Sequence, residues 1–176
     1  MRGSERAVSI LPALAAALLL AGIVALYSAP ARAECTDPPE PGVDWSRCSF
    51  DNLNLTELEL KGANLDDTSF LRADLTGSDL TEIQGYRVKF ISATLEKVVF
   101  DGAKLLRADF TKAKLTNASL VGADLRNARF YNANFTGADL TDAKMKGADL
   151  TGANFSGATW TDGERVCREG SVGRCF

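Results

Sequence analysis

The sequence predicts an all-β solenoid, a stack of short coils, and two regular features of the chain predict it. A large apolar residue recurs every five positions, and a small residue recurs two positions before it. A period of five fits neither an α-helix, which repeats about every 3.6 residues, nor an alternating β-strand. Both regular residues must face inward, and one coil cannot bury its apolar side alone. The coils are therefore expected to stack into a continuous core.

The large apolar residue, hereafter the core position, lies at residues 50, 55, 60 and so on to 160. Leucine holds 12 of these 23 positions and phenylalanine holds eight. Met145 and Trp160 hold two more, and Gly85 is the exception. The residue two before, hereafter the small position, is alanine 12 times in succession from Ala103 to Ala158. No insertion breaks this register, so the array is predicted to span residues 48–163.

Core positions that lie twenty residues apart share their character, which indicates the length of one coil. Core positions 50, 70, 90, 110 and 130 are all phenylalanine. The next set is leucine at 55, 75, 95 and 115, then phenylalanine at 135 and 155. Matched side chains at this interval are expected to form ladders in a tall, close-packed core.

The repeat units resemble those of the pentapeptide-repeat family. The segments Ala-Asp-Leu-Thr-Asp at 138–142 and Ala-Asp-Leu-Thr-Gly at 148–152 carry the resemblance most clearly. It covers residues 48–163 and implies a right-handed quadrilateral parallel β-helix, in which four units close one coil. The 23 units would make about six coils, on the order of 27 Å long at a strand spacing of about 4.8 Å.

Gly85 interrupts the column of large core residues and should leave a hole between Leu65 and Leu105. Ile83, which is larger than the usual small residue, could fill part of that hole. Alternatively, a one-residue bulge would turn Tyr86 inward, or a ligand would occupy the space. We favour repacking by the neighbouring side chains, because cores adjust to such changes with modest distortion.

The N-terminus has the pattern of a secretory signal peptide at residues 1–33. Arg2 and Arg6 precede an apolar run at 8–27, and Ala31-Arg32-Ala33 offers a cleavage site. The sequence therefore predicts a periplasmic or secreted bacterial protein with no membrane contact after cleavage. An uncleaved inner-membrane anchor at 8–27 is the alternative, since about 20 apolar residues can span a bilayer.

Two cysteine-containing segments are expected to cap the array. Residues 34–47 are proline-rich and residues 164–176 follow the repeat; this tail resembles the tails of many exported family members. In an oxidising compartment the local pairings are the economical ones, Cys35 with Cys48 and Cys167 with Cys175. Four cysteines allow three pairings, and the spacing does not choose among them.

The twenty-residue period sorts the outward residues into faces with different charge. The face around core residues 60, 80, 100, 120, 140 and 160 is acidic. The next face, around core residues 65, 85, 105, 125 and 145, is basic. Apolar residues follow the phenylalanine column. We predict a partner-binding surface from the basic and apolar residues together. Its members are Leu71, Tyr86, Arg87, Ile91, Lys104, Leu106, Arg107, Arg126 and Tyr131.

The composition favours a non-catalytic structural or protein-interaction module of the bacterial cell envelope. There is no histidine, the formal net charge is −3, and no nucleophile–base set or phosphate-binding loop is evident. We expect no cofactor, no metal and no nucleic acid. The partner would be an unknown protein or an anionic envelope component, and the chain a monomer or homodimer.

Two alternatives remain. The basic face could bind anionic glycans or lipid surfaces. The resemblance also implies a second possibility, since some members of the family mimic duplex DNA and bind DNA gyrase. The signal peptide and the restriction of acidic residues to one face disfavour that function.

Overall fold

The computed structural model describes residues 35–176; the predicted signal peptide and the alternative anchor at 8–27 lie outside the described residues. Within 35–176 there is neither an α-helix nor an extended strand. The β-structure consists of single bridges that recur every five residues, from Asp44 with Asn64 to Asp139 with Thr159. Each of these bridges is parallel and joins residues twenty apart. No helix in this part of the chain is long and apolar enough to cross a membrane.

The parallel bridges fall into four columns, which define four sides of a β-helix. Side A contains bridge residues 44, 64, 84, 104, 124 and 144, and side B contains 49, 69, 89, 109, 129 and 149. Side C runs in the same way from 54 to 154, and side D from 59 to 159. Backbone hydrogen bonds link the coils: the amide of Phe90 donates to the carbonyl of Asp109 at 2.8 Å. The predicted β-helix is thus confirmed.

The array begins one unit earlier than the boundary expected at residue 48. Val43 occupies a small position and Trp45 a core position, and both are buried. The amide of Trp45 donates to the carbonyl of Asn64 at 2.9 Å, in the same way as later core residues. The predicted N-terminal cap of residues 34–47 therefore includes one complete repeat unit.

Each side ends in a turn formed by the two residues after the core position. The second turn residue has a positive φ in every unit from Gly42 to Gly157. Glycine holds nine of these positions, and the others are Asn, Asp, Ser, Glu, Lys or Arg. No β-branched or aromatic residue occurs there, because the left-handed region is especially unfavourable for such side chains. Both turn residues lie at corners between sides.

Aromatic rings on side B form a ladder through the centre of the solenoid. Phe70 and Phe90 stack with ring centroids 5.2 Å apart, and Phe110 and Phe130 with centroids 5.1 Å apart. All four side chains are fully buried. Stacked pairs of this kind contribute about 0.5–1.5 kcal/mol each beyond burial of their area. The ladder confirms the twenty-residue matching that the sequence indicates.

Gly85 keeps the register of the ladder, and its neighbours fill the space that a larger residue would occupy. Its amide donates to the carbonyl of Lys104 at 2.9 Å, as in a regular unit. A Cβ built on Gly85 would meet Cδ2 of Leu105 and Cγ1 of Val88 at 3.0 Å each. Tyr86 stays at the surface, partly exposed. The structure therefore agrees with repacking and contains neither the bulge nor room for a side chain.

Residues 35–42 cover sides A and B at the N-terminal end. The indole nitrogen of Trp45 donates to the carbonyl of Asp37 at 3.1 Å. Cys35 is joined to Cys48 by a disulfide, with 5.5 Å between their Cα atoms. In the chain-entropy model, a disulfide that closes a loop of this length stabilises the folded protein by about 3 kcal/mol.

The C-terminal tail covers sides C and D at the other end. After Trp160 the chain reverses direction and runs antiparallel to the last coil, where Val166 bridges Thr159 and Val172 bridges Asn154. Cys167 and Cys175 form the second disulfide. Of the three arrangements that the sequence left open, the structure therefore has the one in which each cysteine pairs locally.

Replacing Gly85 by the leucine that the repeat would place there should destabilise the fold. The added atoms overlap Leu105 and Val88, and overpacking a filled core costs about 1–3 kcal/mol. Urea unfolding followed by circular dichroism measures the change. The double variant Gly85→Leu/Val88→Ala removes the obstructing methyl groups and should recover part of the loss. A Gly85→Leu protein more stable than the wild type would instead show that a hole exists.

Candidate functional site

The turns place the predicted surface residues along two neighbouring corners of the solenoid. Tyr86, Arg87, Leu106, Arg107 and Arg126 lie at the corner between sides A and B. Leu71, Ile91 and Tyr131 lie at the corner between sides B and C, and Lys104 lies on side A itself. The structure thus places eight of the nine residues at the two corners that flank side B and the ninth on side A, rather than in a single cluster.

The corner between sides A and B is organised around Tyr86. The carboxylate of Asp66, one coil earlier, accepts a hydrogen bond from the amide of Tyr86 at 2.7 Å. The guanidinium of Arg87 lies over the Tyr86 ring, 5.0 Å from its centroid. Arg107 donates to the Tyr86 hydroxyl at 3.4 Å. Tyr86 therefore contacts two cations: Arg87 over its ring, which attraction to the ring face stabilises, and Arg107 at its hydroxyl.

The corner between sides B and C carries the apolar residues. Tyr131 is 45% exposed, whereas Leu71 and Ile91 are partly buried. The Asp51 carboxylate accepts hydrogen bonds from the amide of Leu71 at 2.9 Å and the hydroxyl of Ser69 at 2.6 Å. Burial alone would raise the pKa of Asp51, but these hydrogen bonds outweigh it and lower the pKa. A charged carboxylate thus fixes the turn that presents Leu71.

Ion pairs neutralise two of the three predicted surface arginines. Arg87 pairs with Asp67 at 2.7 Å, and Arg126 pairs with Asp124 at 2.6 Å. The hydrogen bond from Arg87 lowers the pKa of Asp67, and the hydrogen bond from Arg126 does the same for Asp124. The sequence pattern could not indicate these pairs, because they depend on side-chain geometry between and within coils.

Beyond the first coil, four cations on side A and its corner with side B have no ion-pair partner within residues 35–176. All four side chains are exposed. They are Lys104, Arg107, Lys144 and Lys146. We call this set the basic stripe. Lys144 and Lys146 fell outside the predicted partner surface, although their charge marks them on the basic face.

The acidic face lies on side D and its corner with side A. Its bridge residues include Glu59, Asp79 and Asp139, and its turn residues include Glu82 and Asp142. Asp139 is bound into its own turn, where it accepts hydrogen bonds from the amide and hydroxyl of Thr141. The solenoid is therefore acidic on one face and basic on the next.

The recurring aspartates at the bridge positions serve the turns. Each accepts a hydrogen bond from the amide two residues later. The residues are Asp74, Asp109, Asp124, Asp139 and Asp149. At Asp149 the hydroxyl and amide of Thr151 lower the carboxyl pKa. Asp and Asn favour such turns for this reason, so their repetition needs no catalytic explanation.

Within residues 35–176 no group of three or more Cys, Asp or Glu side chains is arranged to hold a metal ion. All four cysteines in this range are in disulfides. What the surface offers chemically is therefore charge, exposed aromatic area and hydrogen-bonding groups.

A four-sided parallel β-helix with a five-residue repeat defines a class of solenoid proteins. The family model for pentapeptide repeats matches residues 42–82, 86–120 and 118–157, with eight copies. These segments make up more than half of the chain, so the chain belongs to the pentapeptide-repeat family. Family members form right-handed β-helices, and the match begins at residue 42, directly before the first unit in the structure.

Several solved structures are similar to this chain. Rfr23 from the cyanobacterium Cyanothece 51142 is 22% identical and covers 66% of this chain and 90% of its own, with a TM-score of 0.49. A pentapeptide-repeat protein of the Arabidopsis thaliana thylakoid lumen is 21% identical, with coverages of 78% and 85% and a TM-score of 0.43. QnrB1, a plasmid-mediated fluoroquinolone resistance protein, is 18% identical, with coverages of 70% and 69% and a TM-score of 0.47. No curated protein matches the chain.

Replacing Arg87 by glutamine should raise the pKa of Asp67 toward its ordinary value, because the guanidinium hydrogen bond and charge are lost. A carboxyl whose folded-state pKa is lowered stabilises the fold above its unfolded-state pKa. That contribution disappears as the pH falls through the folded-state pKa. The pair is largely exposed, so the effect on stability should be small. Side-chain carboxyl NMR titration measures the shift.

Asp124 is the internal control for this titration, since it pairs with Arg126 and not with Arg87. Its pKa should stay unchanged in the Arg87→Gln protein. If the pKa of Asp67 also stays unchanged, the ion pair does not form in solution.

Proposed function

We propose that this protein is a non-catalytic interaction module of the bacterial cell envelope, exported by the predicted signal peptide. In this proposal the solenoid has about six coils and acts as a rigid support. The basic stripe, together with Tyr86 and Tyr131, forms the surface that binds a partner.

The unpaired charge of the basic stripe is the observation that carries this proposal. Lys104 and Lys144 lie on the same column two coils apart, hence about 10 Å from each other. Between them Asp124 is already paired with Arg126. Exposed cations without local partners raise the potential around the stripe, which attracts an anionic surface and speeds its association.

The nearby aromatic residues favour a protein partner over a purely ionic one. Tyr86 and Tyr131 flank side B, and Tyr131 is among the few large apolar residues exposed away from the ends of the solenoid. Tyr and Arg contribute strongly at protein interfaces, because each combines apolar area with directed hydrogen bonds. We therefore propose an acidic protein of the envelope as the partner. Binding to an anionic glycan or lipid surface through the same stripe is the alternative.

The gyrase-binding alternative is less consistent with the charge distribution. Mimicry of DNA requires negative potential over most of the surface, and here the acidic face adjoins the basic stripe. Inhibition of DNA supercoiling by the purified protein would support this alternative.

Charge reversal in the middle of the stripe tests the proposal. The Lys104→Glu/Arg107→Glu variant should lose partner capture from envelope extract, with at least tenfold weaker binding, or about 1.4 kcal/mol. Quantitative pull-down at two salt concentrations, followed by mass spectrometry, measures the loss. Wild-type capture should weaken with salt, since exposed charges are screened.

The matched control reverses two cations at equivalent positions on another part of the surface. Lys114 is a bridge residue like Lys104, and Lys97 is a second turn residue like Arg107; all four are exposed. The Lys97→Glu/Lys114→Glu variant carries the same change in charge and should bind as the wild type. Equal loss in both variants would mean that net charge alone is recognised. No loss in the stripe variant would refute the proposed surface.

A further inference from the structure

The N-terminal end of the solenoid is open over side C and part of side D. Leu53, at a small position, is 47% exposed, whereas most small positions deeper in the stack are fully buried. Leu55 and Leu58 are also only partly buried. The amides of Asn54 and Glu59 donate to no backbone carbonyl among residues 35–176. This end therefore exposes apolar side chains beside free backbone groups.

The C-terminal end is open over the opposite half, sides A and B. Met145 and Leu150 occupy core positions but are only partly buried. The amides of Met145, Gly147, Leu150 and Gly152 have no acceptor among residues 35–176, although matching amides in earlier coils donate to the next coil. Unpaired backbone edges of this kind are sites where another chain can add.

The two caps are complementary half-layers. The N-terminal cap occupies the layer beyond sides A and B, and the C-terminal tail occupies the layer beyond sides C and D. If the C-terminal end of one copy meets the N-terminal end of another with their sides aligned, each cap lies against the open half of the other copy. The twenty-residue register permits this alignment, since residues 44 and 144 belong to the same column. From this geometry we infer that copies of the chain stack head to tail.

The charges at the two ends support this pairing. Residues 35–62 contain six acidic and two basic side chains, a net of −4. Residues 144–176 contain four acidic and five basic side chains, a net of +1. With the sides aligned, Lys144 and Lys146 at the open C-terminal edge approach the acidic N-terminal cap. Attraction between opposite charges thus favours contact between unlike ends.

Contact between two N-terminal ends is disfavoured by the same charges. It would place two ends that each carry a net charge of −4 against one another, and Glu57 and Glu59 at the open half are both exposed. Juxtaposed like charges oppose such a contact. A head-to-tail contact is heterologous, and because the two ends lie at opposite ends of one solenoid axis, it adds copies in a line rather than closing a ring.

The test uses the protein as the cell yields it from the full-length gene, with its N-terminus determined by mass spectrometry. Sedimentation velocity measures its size as a function of concentration. One end of the solenoid is too small for tight binding, so association is expected at concentrations on the order of 0.1 mM. The wild type should grow beyond a dimer as concentration rises, and added salt should reverse this growth.

Two variants each block one end. Leu53→Arg places a charge in the exposed apolar patch at the N-terminal end. Lys144→Glu/Lys146→Glu makes the open C-terminal edge acidic, so that it repels the acidic cap of the next copy. Each variant alone should remain monomeric, but an equal mixture should form a one-to-one dimer and nothing larger, because one competent end of each kind remains.

Controls separate this inference from the proposed function and from misfolding. The Lys104→Glu/Arg107→Glu variant alters the middle of the solenoid and should stack as the wild type does. Thermal unfolding must show that each end variant is folded, and Leu53→Gln replaces Leu53→Arg if the latter is not. A monomeric wild type, growth that stops at a dimer, or a mixture that remains monomeric would each overturn the inference.

Discussion

The architecture depends on a backbone that enters the left-handed region once in every five residues. This conformation at the second turn position bends the chain by one corner, and it recurs without exception from Gly42 to Gly157. It restricts that position to glycine and to unbranched polar or charged residues. The first turn position has no such restriction and holds threonine as well as the aromatic and aliphatic residues of the corners. The backbone therefore decides which side chains each corner can display.

The repeat made the core and its columns predictable, because inward positions are defined by spacing alone. The absence of branched residues from the second turn position was also visible in the sequence, and it would have indicated the left-handed turns. Trp45 was missed as a core residue, since its unit contains neither leucine nor phenylalanine at that position and follows a proline-rich segment. The pairing of Arg87 and Arg126 was not predictable, because it depends on side-chain rotamers. The antiparallel path of the tail lies outside the repeat.

The interior and the surface of the solenoid have separate roles. Aromatic and aliphatic ladders fill the interior, and the neighbours of Gly85 close the only gap in the predicted core pattern. The bridge aspartates are occupied by turn hydrogen bonds, whereas the cations of the basic stripe have no ion-pair partner within residues 35–176. The disulfide-linked caps protect half of each end. The sides are thus suited to binding a different partner, and the ends to binding another copy of the same chain.

The central claim is that one register of twenty residues runs through the whole solenoid, including Gly85. Scalar couplings across hydrogen bonds, measured by NMR on isotope-labelled protein, test it most directly. They should connect the amide nitrogen of Leu65 to the carbonyl carbon of Gln84, and that of Gly85 to Lys104. A shift of the pairing by one residue beyond Gly85, or the absence of couplings between residues nineteen apart, would contradict the claim.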